Sequence, residues 1–209
     1  MYTIDFKKIF FVIILAGLGW YVFFYKAPIK NANRPVSMIV AFGDDITAGE
    51  GAGNDARNTY PAALAQLTGK TVINEGYSGE TAANAPRHLD KVLAYNPQMV
   101  IIQFGDNDFL QRISVNRSAE SMGQMIDAVQ DAGAIAVVVE TGGRGVGPYA
   151  RAYKKLARKK GAVFIPGILS KVLKKKEYMS DDKRHPNYRG YKMVAEKVHL
   201  GIEPYLHHN

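Results

Sequence analysis

Two adjacent carboxylates, Asp44 and Asp45, follow an apolar run and a glycine in the stretch 37–53, which reads SMIVAFGDDITAGEGAG. The apolar residues indicate the end of a buried strand, and Gly43 the sharp exit from it. In a doubly wound α/β sheet, ligands bind just beyond the carboxyl ends of the strands, which is where these carboxylates lie. Carboxylates in that place can act in catalysis, bind a divalent cation, or simply cap the next helix.

Three later stretches also place polar residues at the ends of predicted strands or beside the starts of predicted helices. They read NEGYSGET at 74–81, GDND at 105–108 and DKRHPN at 182–187. Together with GDDITAG at 43–49, they resemble, in the same order, the four sequence blocks of the SGNH (GDSL-like) hydrolases, a family of esterases and lipases. The resemblance covers residues 37–206.

The last block supplies the candidate base. By resemblance, His185 is the general base, and Asp182 holds its imidazole through the other ring nitrogen. Asp181 is the alternative partner, but the three-residue spacing of the family block favours Asp182. Taken without the other blocks, this loop would instead read as a charged surface loop.

The middle blocks supply the candidate oxyanion donors. The resemblance implies that the backbone N–H of Gly79 and the side-chain amide of Asn107 stabilise the charge of an acyl-transfer intermediate. Taken alone, Asn107 could be a turn residue that binds its own backbone. Asp44 and Asp108 are expected to tie loops together rather than to react.

The first block departs from the family at its most important position, because Asp45 stands where the nucleophilic serine belongs. A carboxylate has no proton to lose at neutral pH, and its attack on an acyl ester would give a reactive anhydride. It would also repel the charge that the oxyanion donors stabilise, or occupy their site itself. Losing a triad nucleophile can cost about 10⁶ in kcat. We therefore expect weak or no esterase activity from this chain.

Three function hypotheses remain from the sequence. The first is an SGNH-type hydrolase acting on acyl esters of lipids or envelope glycans, with Asp45 in an altered mechanism. The second is a catalytically silent binding module that uses the same pocket. The third is a receiver-like domain that binds a divalent cation through Asp44 and Asp45, but it gives Asn107 and the DKRHPN block no role.

Short apolar runs alternate with helical segments through the chain. Strands are predicted to end at 42 and to cover 71–74, 98–104, 134–139 and 162–165; helices are predicted over 58–67, 81–95, 118–132, 148–160 and 187–206. Strands that are apolar on both faces predict a parallel sheet covered by helices on two sides. The resemblance adds a flavodoxin-like strand order, 2-1-3-4-5. We expect a three-layer α/β/α sandwich with a five-stranded parallel sheet.

The N-terminal region predicts a membrane anchor. Residues 9–25 form an uncharged apolar span of about 17 residues, the lower limit for crossing a bilayer. A cleaved signal peptide is the alternative, but aromatic residues rather than a cleavage site end the span. We expect residues 1–8 in the cytoplasm, 26–36 as a linker, 37–206 as the hydrolase-like domain outside the cytoplasm (periplasmic or on the cell surface), and 207–209 as a tail.

Composition is ordinary for a globular protein, with 47% hydrophobic and 22% charged residues, no cysteine and a formal charge of +8. The positive charge is concentrated at 154–160 and 171–176, where we expect a solvated face with weak attraction to an anionic bilayer or envelope polymer. No nucleic-acid motif accompanies it. We expect a monomer that acts on an ester-bearing small molecule, lipid or glycan, without a cofactor or metal.

Overall fold

The structure, a computed structural model, describes residues 27–53 and 55–206. The predicted cytoplasmic segment 1–8, the predicted anchor 9–25 and the tail 207–209 lie outside the described residues. Within 27–53 and 55–206, no helix combines the length and the apolar character needed to cross a membrane.

One parallel sheet forms the centre of the described domain. Its strands are β1 (Met38–Gly43), β2 (Thr71–Gly76), β3 (Met99–Gln103), β4 (Ile135–Val139) and β5 (Val163–Ile165). They lie in the order β2-β1-β3-β4-β5, and every neighbouring pair is parallel. The predicted strand order and parallel sheet are therefore confirmed.

Helices cover both faces of the sheet. The helices are α1 (Asp45–Ala48), α2 (Tyr60–Thr68), α3 (Leu89–Ala94), α4 (Asp106–Leu110), α5 (Val115–Asp131), α6 (Gly147–Lys160) and α7 (Tyr188–Ile202). α2 and α7 pack with Ile39 and Ala41 on one face, and α3, α5 and α6 pack with Val40 and Phe42 on the other. Adjacent residues of β1 thus enter opposite cores, which explains why the strands are continuously apolar.

The predicted helix boundaries need two corrections. The helix predicted over 81–95 is a 3₁₀ turn, Ala85–His88, followed by the short α3. Pro86 lies at the start of that turn, and a proline disfavours helical backbone in the residue before it. The helix predicted over 118–132 starts earlier, at Val115, because the hydroxyl of Ser114 caps it by accepting a hydrogen bond from the N–H of Arg117.

Residues 27–36, called the N-terminal strap below, are packed against the domain. The N–H of Lys30 donates to the carbonyl of Gly161 (2.9 Å), and the amide of Asn31 donates to the carbonyls of Gln130 (3.0 Å) and Ala134 (2.9 Å). The segment predicted as a linker is thus held against the domain by these hydrogen bonds and by the apolar side chains of Ile29 and Val36. It lies where the chain enters β4 and β5, at the amino ends of the strands.

Candidate active site

The exit from β1 places Asp44 and Asp45 at the carboxyl edge of the sheet. Asp44 is fully buried and caps α1, its Oδ1 accepting a hydrogen bond from the N–H of Ile46 (3.2 Å). Asp45 is the first residue of α1 and remains half-buried. Asp44 therefore has the structural role expected for it, and Asp45 is the member of the pair that faces the site.

The end of β2 lies against α1 because Gly76 has no side chain. A β-carbon on Gly76 would lie 2.1 Å from the backbone nitrogen of Ala48, a distance at which the two segments would have to separate. This close approach brings the loop after β2, with Gly79, over the first turn of α1. The short helix α4, which starts just after β3, carries Asn107 to the same place.

The carboxylate of Asp45 accepts hydrogen bonds from both predicted oxyanion donors. The backbone N–H of Gly79 donates to Oδ1 (3.1 Å), and the side-chain amide of Asn107 donates to Oδ2. The second amide hydrogen of Asn107 is held by the carbonyl of Glu80 (3.0 Å), so the amide has a fixed orientation. Asp45 thus lies between the two predicted donors and satisfies both of them.

Asp182 and His185 form a hydrogen-bonded pair on the loop before α7. Nδ1 of His185 lies 2.6 Å from Oδ2 of Asp182, and the backbone N–H of His185 donates to Oδ1 of Asp182 (2.9 Å). The hydroxyl of Ser180 (2.6 Å) and the N–H of Arg184 (2.8 Å) also donate to Oδ1. Asp182, rather than the alternative Asp181, therefore contacts the imidazole, and Nε2 has no hydrogen bond to the part of the chain that the structure describes.

These hydrogen bonds determine the charge state of Asp182. Partial burial acts to raise the pKa of its carboxyl group, but the donors from Ser180, the backbone of His185 and Arg184, and the imidazole outweigh it. The pKa of Asp182 is consequently held well below its usual range. The carboxylate is therefore ionised and suited to orient an imidazole that gains a proton.

The two halves of the site meet without direct contact. Within residues 27–53 and 55–206, no hydrogen bond or ion pair joins the side chains of Asp45 and His185. They are connected through the loop after α1, in which the N–H of Glu50 donates to the carbonyl of Asp45 (3.0 Å). An open cleft lies beside this loop, lined by Ala48, Gly49, Glu50, Gly51, Gly53, Ser180, Asp181 and Asp182.

Sequence reasoning missed the residues that fasten these loops. The hydroxyl of Tyr191 on α7 donates to the carbonyl of Glu50 (2.7 Å), and the carboxylate of Glu50 accepts from the hydroxyl of Ser78 (2.5 Å). The amide of Gln111 donates to the carbonyl of Gly79 (3.1 Å). Ser78 is adjacent to Gly79 in the sequence and Gln111 lies four residues after Asn107, and this proximity to the predicted donors is the one signal that could have identified them.

Further carboxylates are buried behind the site. Burial, reinforced by the charge of Asp106, raises the pKa of Asp44 well above its ordinary value. Burial likewise raises the pKa of Asp106 to about 6, against a hydrogen bond from the hydroxyl of Thr141 (2.9 Å) that acts to lower it. Asp108 is fully buried and accepts from the N–H of Ala82 (2.7 Å), which ties α4 to the loop after β2 as expected.

The cation-binding hypothesis finds no matching geometry in the part of the chain that the structure describes. No group of three or more histidine, aspartate or glutamate side chains there is arranged to hold a metal ion. Asp44 points into the protein and Asp45 is hydrogen-bonded to two donors.

Comparison with known proteins gives one family. Residues 41–193 match the sequence model of the GDSL-like lipase/acylhydrolase family. The chain is 27% identical to an arylesterase of Vibrio mimicus over 182 residues, which are 81% of this chain and 90% of that protein. It is 25% identical to the thioesterase 1/protease 1/lysophospholipase L1 of Escherichia coli K12 over 180 residues, 82% of this chain and 86% of that one.

The fold comparison agrees with the sequence comparison. The crystal structure of the psychrotrophic esterase EstA from Pseudoalteromonas sp., inhibited by monoethylphosphonate, superposes with a TM-score of 0.73 at 23% identity. The match covers 81% of this chain and 98% of that chain. At this level of identity the similarity concerns the fold.

Proposed function

Because the chain belongs to the GDSL-like lipase/acylhydrolase family, we propose that its site is a carboxylic-ester hydrolase site that Asp45 holds in a weakly active or inactive state. The observation that carries this proposal is the pair of hydrogen bonds from Gly79 and Asn107 to the carboxylate of Asp45. The donors that would stabilise a substrate oxyanion are already satisfied by the protein.

The retained parts suit ester hydrolysis with a hydroxyl at position 45. His185, oriented by Asp182, would take the hydroxyl proton as the oxygen attacks the acyl carbon. Gly79 and Asn107 would then donate to the carbonyl oxygen as it becomes negative. Return of the proton to the leaving alcohol, followed by attack of a water on the acyl-enzyme, would complete the reaction.

Asp45 opposes two of these steps. Its carboxylate supplies no proton for His185 to remove, so attack on an acyl carbon depends on the poor carboxylate nucleophile alone. Its negative charge also lies between the donors, where the substrate oxyanion would have to enter. Displacing it would cost two hydrogen bonds to a charged group, each worth about 1.5–3 kcal/mol. Asp45 therefore hinders both the binding of a substrate ester and the transfer of its acyl group.

The relatives bear on the substrate class. Their names are arylesterase and thioesterase 1/protease 1/lysophospholipase L1. We propose acyl esters of lipids or envelope glycans as ligands of this pocket, and of these two classes only lipid esters are indicated by the names. The open cleft between the loop after α1 and the loop before α7 is lined by Asp182 but not by Asp45, Gly79, Asn107 or His185, so it would hold only a part of such a ligand that extends away from the reacting carbon. A silent binding module that recognises the same esters is the second candidate, favoured by the same occupied donors.

We further propose that residues 9–25 anchor the protein in a membrane, with the domain outside the cytoplasm. The N-terminal strap lies at the amino ends of the strands, whereas Asp45 follows the carboxyl end of β1. A chain that is anchored through the strap would therefore have its site at the opposite end of the strands. A five-residue strand makes that separation about 17 Å. This orientation favours soluble esters or envelope glycans over lipids of the anchoring bilayer.

The test is to purify the full-length protein and its Asp45→Ser variant and to assay short-chain aryl and acetyl esters. We expect the parent to be nearly inactive and Asp45→Ser to be faster by orders of magnitude. Asp45→Ala, which opens the donors without adding a hydroxyl, is the matched control and should stay inactive. Ordinary enzyme rates in the parent, about 1–10³ per second, would show that Asp45 does not block the site. A folded but inert Asp45→Ser protein would favour the binding module.

A further inference from the structure

The oxyanion donors contact Asp45 itself, and this suits a reaction in which Asp45 forms the ester. We propose that Asp45 is a carboxylate nucleophile toward saturated carbon, and that the site hydrolyses small alkyl compounds that carry a leaving group, such as a halide or an epoxide oxygen. Carboxylate side chains are established nucleophiles in covalent catalysis. This activity goes beyond the proposed ester-hydrolase site and does not depend on it.

With a halide, the first step needs no proton transfer and no oxyanion stabilisation on the substrate. One oxygen of Asp45 attacks a saturated carbon of R–X, a new C–O bond forms, and X⁻ departs with the electrons of the C–X bond. With an epoxide, the C–O bond of the ring breaks instead, and the ring oxygen stays attached as an alkoxide that takes a proton from solvent water. Each carboxylate oxygen accepts one hydrogen bond and keeps a second lone pair for attack. Displacement at saturated carbon creates no carbonyl oxyanion, so the donors can remain on Asp45. The product is an alkyl ester of Asp45.

The second step uses the parts that have no task in the first. Nε2 of His185, left free because Nδ1 binds Asp182, takes a proton from a water molecule, whose oxygen attacks Cγ of Asp45. The negative charge then develops on the carbonyl oxygen of Asp45, which Asn107 or Gly79 already contacts. The alcohol leaves with the proton from the imidazolium, and the carboxylate is restored. The balance for a halide is R–X plus water to R–OH, a proton and X⁻, and the balance for an epoxide is epoxide plus water to a diol.

The donor geometry favours this second step over acyl transfer to a substrate. Both hydrogens of the Asn107 amide are committed, one to Asp45 and one to the carbonyl of Glu80 (3.0 Å). The donor is therefore preorganised for the Asp45 oxygen, and preorganised donors are worth about 10²–10³ in rate where charge develops. The same geometry that hinders a substrate ester thus promotes hydrolysis of an ester formed on Asp45.

The first experiment traps the covalent intermediate. His185→Gln should still undergo alkylation but lose the base for hydrolysis, so incubation of the full-length variant with 1-bromohexane or 1,2-epoxyhexane should leave an adduct on Asp45. Peptide mass spectrometry would find the Asp45 peptide heavier by the alkyl group. The control, His185→Gln with Asp45→Asn, should carry no adduct there. Absence of the adduct on Asp45 with both probes would overturn the proposal.

The second experiment follows turnover in the parent protein. In ¹⁸O-labelled water, bromide or diol release should be accompanied by ¹⁸O in the Asp45 carboxylate, because water attacks Cγ and not the alkyl carbon. Asn107→Ala should slow release about 10²-fold or more. Turnover without label in Asp45 would contradict the mechanism. Ester hydrolysis by Asp45→Ser with no labelling of Asp45 would overturn this inference alone, whereas labelling with an inert Asp45→Ser would overturn the ester-site proposal alone.

Discussion

Gly51 approaches His185 so closely that a β-carbon on Gly51 would lie 2.8 Å from Cβ of His185 and 2.9 Å from the carbonyl oxygen of Pro186. This contact sets the position of the base loop against the loop that follows Asp45. The backbone of Gly51 is also left-handed, with φ of +83°. Gly53, two residues on, has nearly the same φ of +82°, but a β-carbon there would meet no atom of residues 27–53 and 55–206 within 4 Å.

We predict that Gly51→Ala displaces the base loop and that Gly53→Ala does not. Both variants should lose about 1 kcal/mol because alanine is strained at positive φ. Gly51→Ala should lose more through the contact with His185 and Pro186, and in the Asp45→Ser background it should lower kcat by about 10²-fold, since small misplacements of a base are costly. Urea unfolding and ester assays would test this; equal losses in the two variants would contradict it.

The sequence predicted that Asp45, Gly79 and Asn107 lie close together, but not which residues fasten the loops that carry them. Asp45, Gly79 and Asn107 follow the ends of adjacent parallel strands, so their convergence follows from the strand order. The contact between Tyr191 and Glu50 joins residues 141 apart, and no local periodicity encodes such a pair. The helix predicted over 81–95 was wrong in its first part because tertiary contacts and Pro86 favour a 3₁₀ turn.

A second prediction concerns the N-terminal strap. Asn31→Ala removes two hydrogen bonds to the carbonyls of Gln130 and Ala134 and places alanine at a φ of 60°. The expected loss is about 2–3 kcal/mol of the free energy of unfolding. Asn33→Ala, an exposed asparagine of the same strap, should cost only a few tenths of a kcal/mol. Denaturant unfolding of the two variants tests this. If Asn31→Ala lost as little stability as Asn33→Ala, the strap would be only loosely attached.

The strap also shows a limit of composition-based reasoning. Residues 26–36 were predicted to form a linker, and the structure has no helix or strand in residues 27–36. Composition does not show that backbone carbonyls at the ends of α5 and α6 need hydrogen-bond donors. The strap supplies these donors. Hydrophobic patterns therefore do not reveal the hydrogen bonds of the Asn31 side chain, which add to the apolar contacts of Ile29 and Val36.

A third prediction uses the raised pKa of Asp106, about 6 in the folded protein. The folded state binds a proton that the unfolded state has released, so this group's contribution to stability is complete below pH 4 and is lost as the pH rises to about 6. Asp106→Asn keeps Oδ1 as an acceptor for Thr141 and should remove this loss, which stabilises the protein by about 1–3 kcal/mol above pH 7. Asp131→Asn, an exposed control, should leave the pH profile unchanged. A parallel shift of the Asp106→Asn profile at every pH would contradict the assignment.

The last prediction separates the orientation of His185 from the charge of its loop. In the Asp45→Ser background, Asp182→Asn keeps an oxygen for the N–H groups of Arg184 and His185 but presents an amide N–H to Nδ1 of His185. The imidazole should then carry its proton on Nε2 and fail as a base, lowering kcat by about 10²–10⁴. Asp181→Asn removes the same charge from the neighbouring residue, and the imidazole has no hydrogen bond to Asp181 among the described residues. Its kcat should change less than twofold, so comparable losses from both variants would show that loop charge, rather than the hydrogen bond to Nδ1, supports the base.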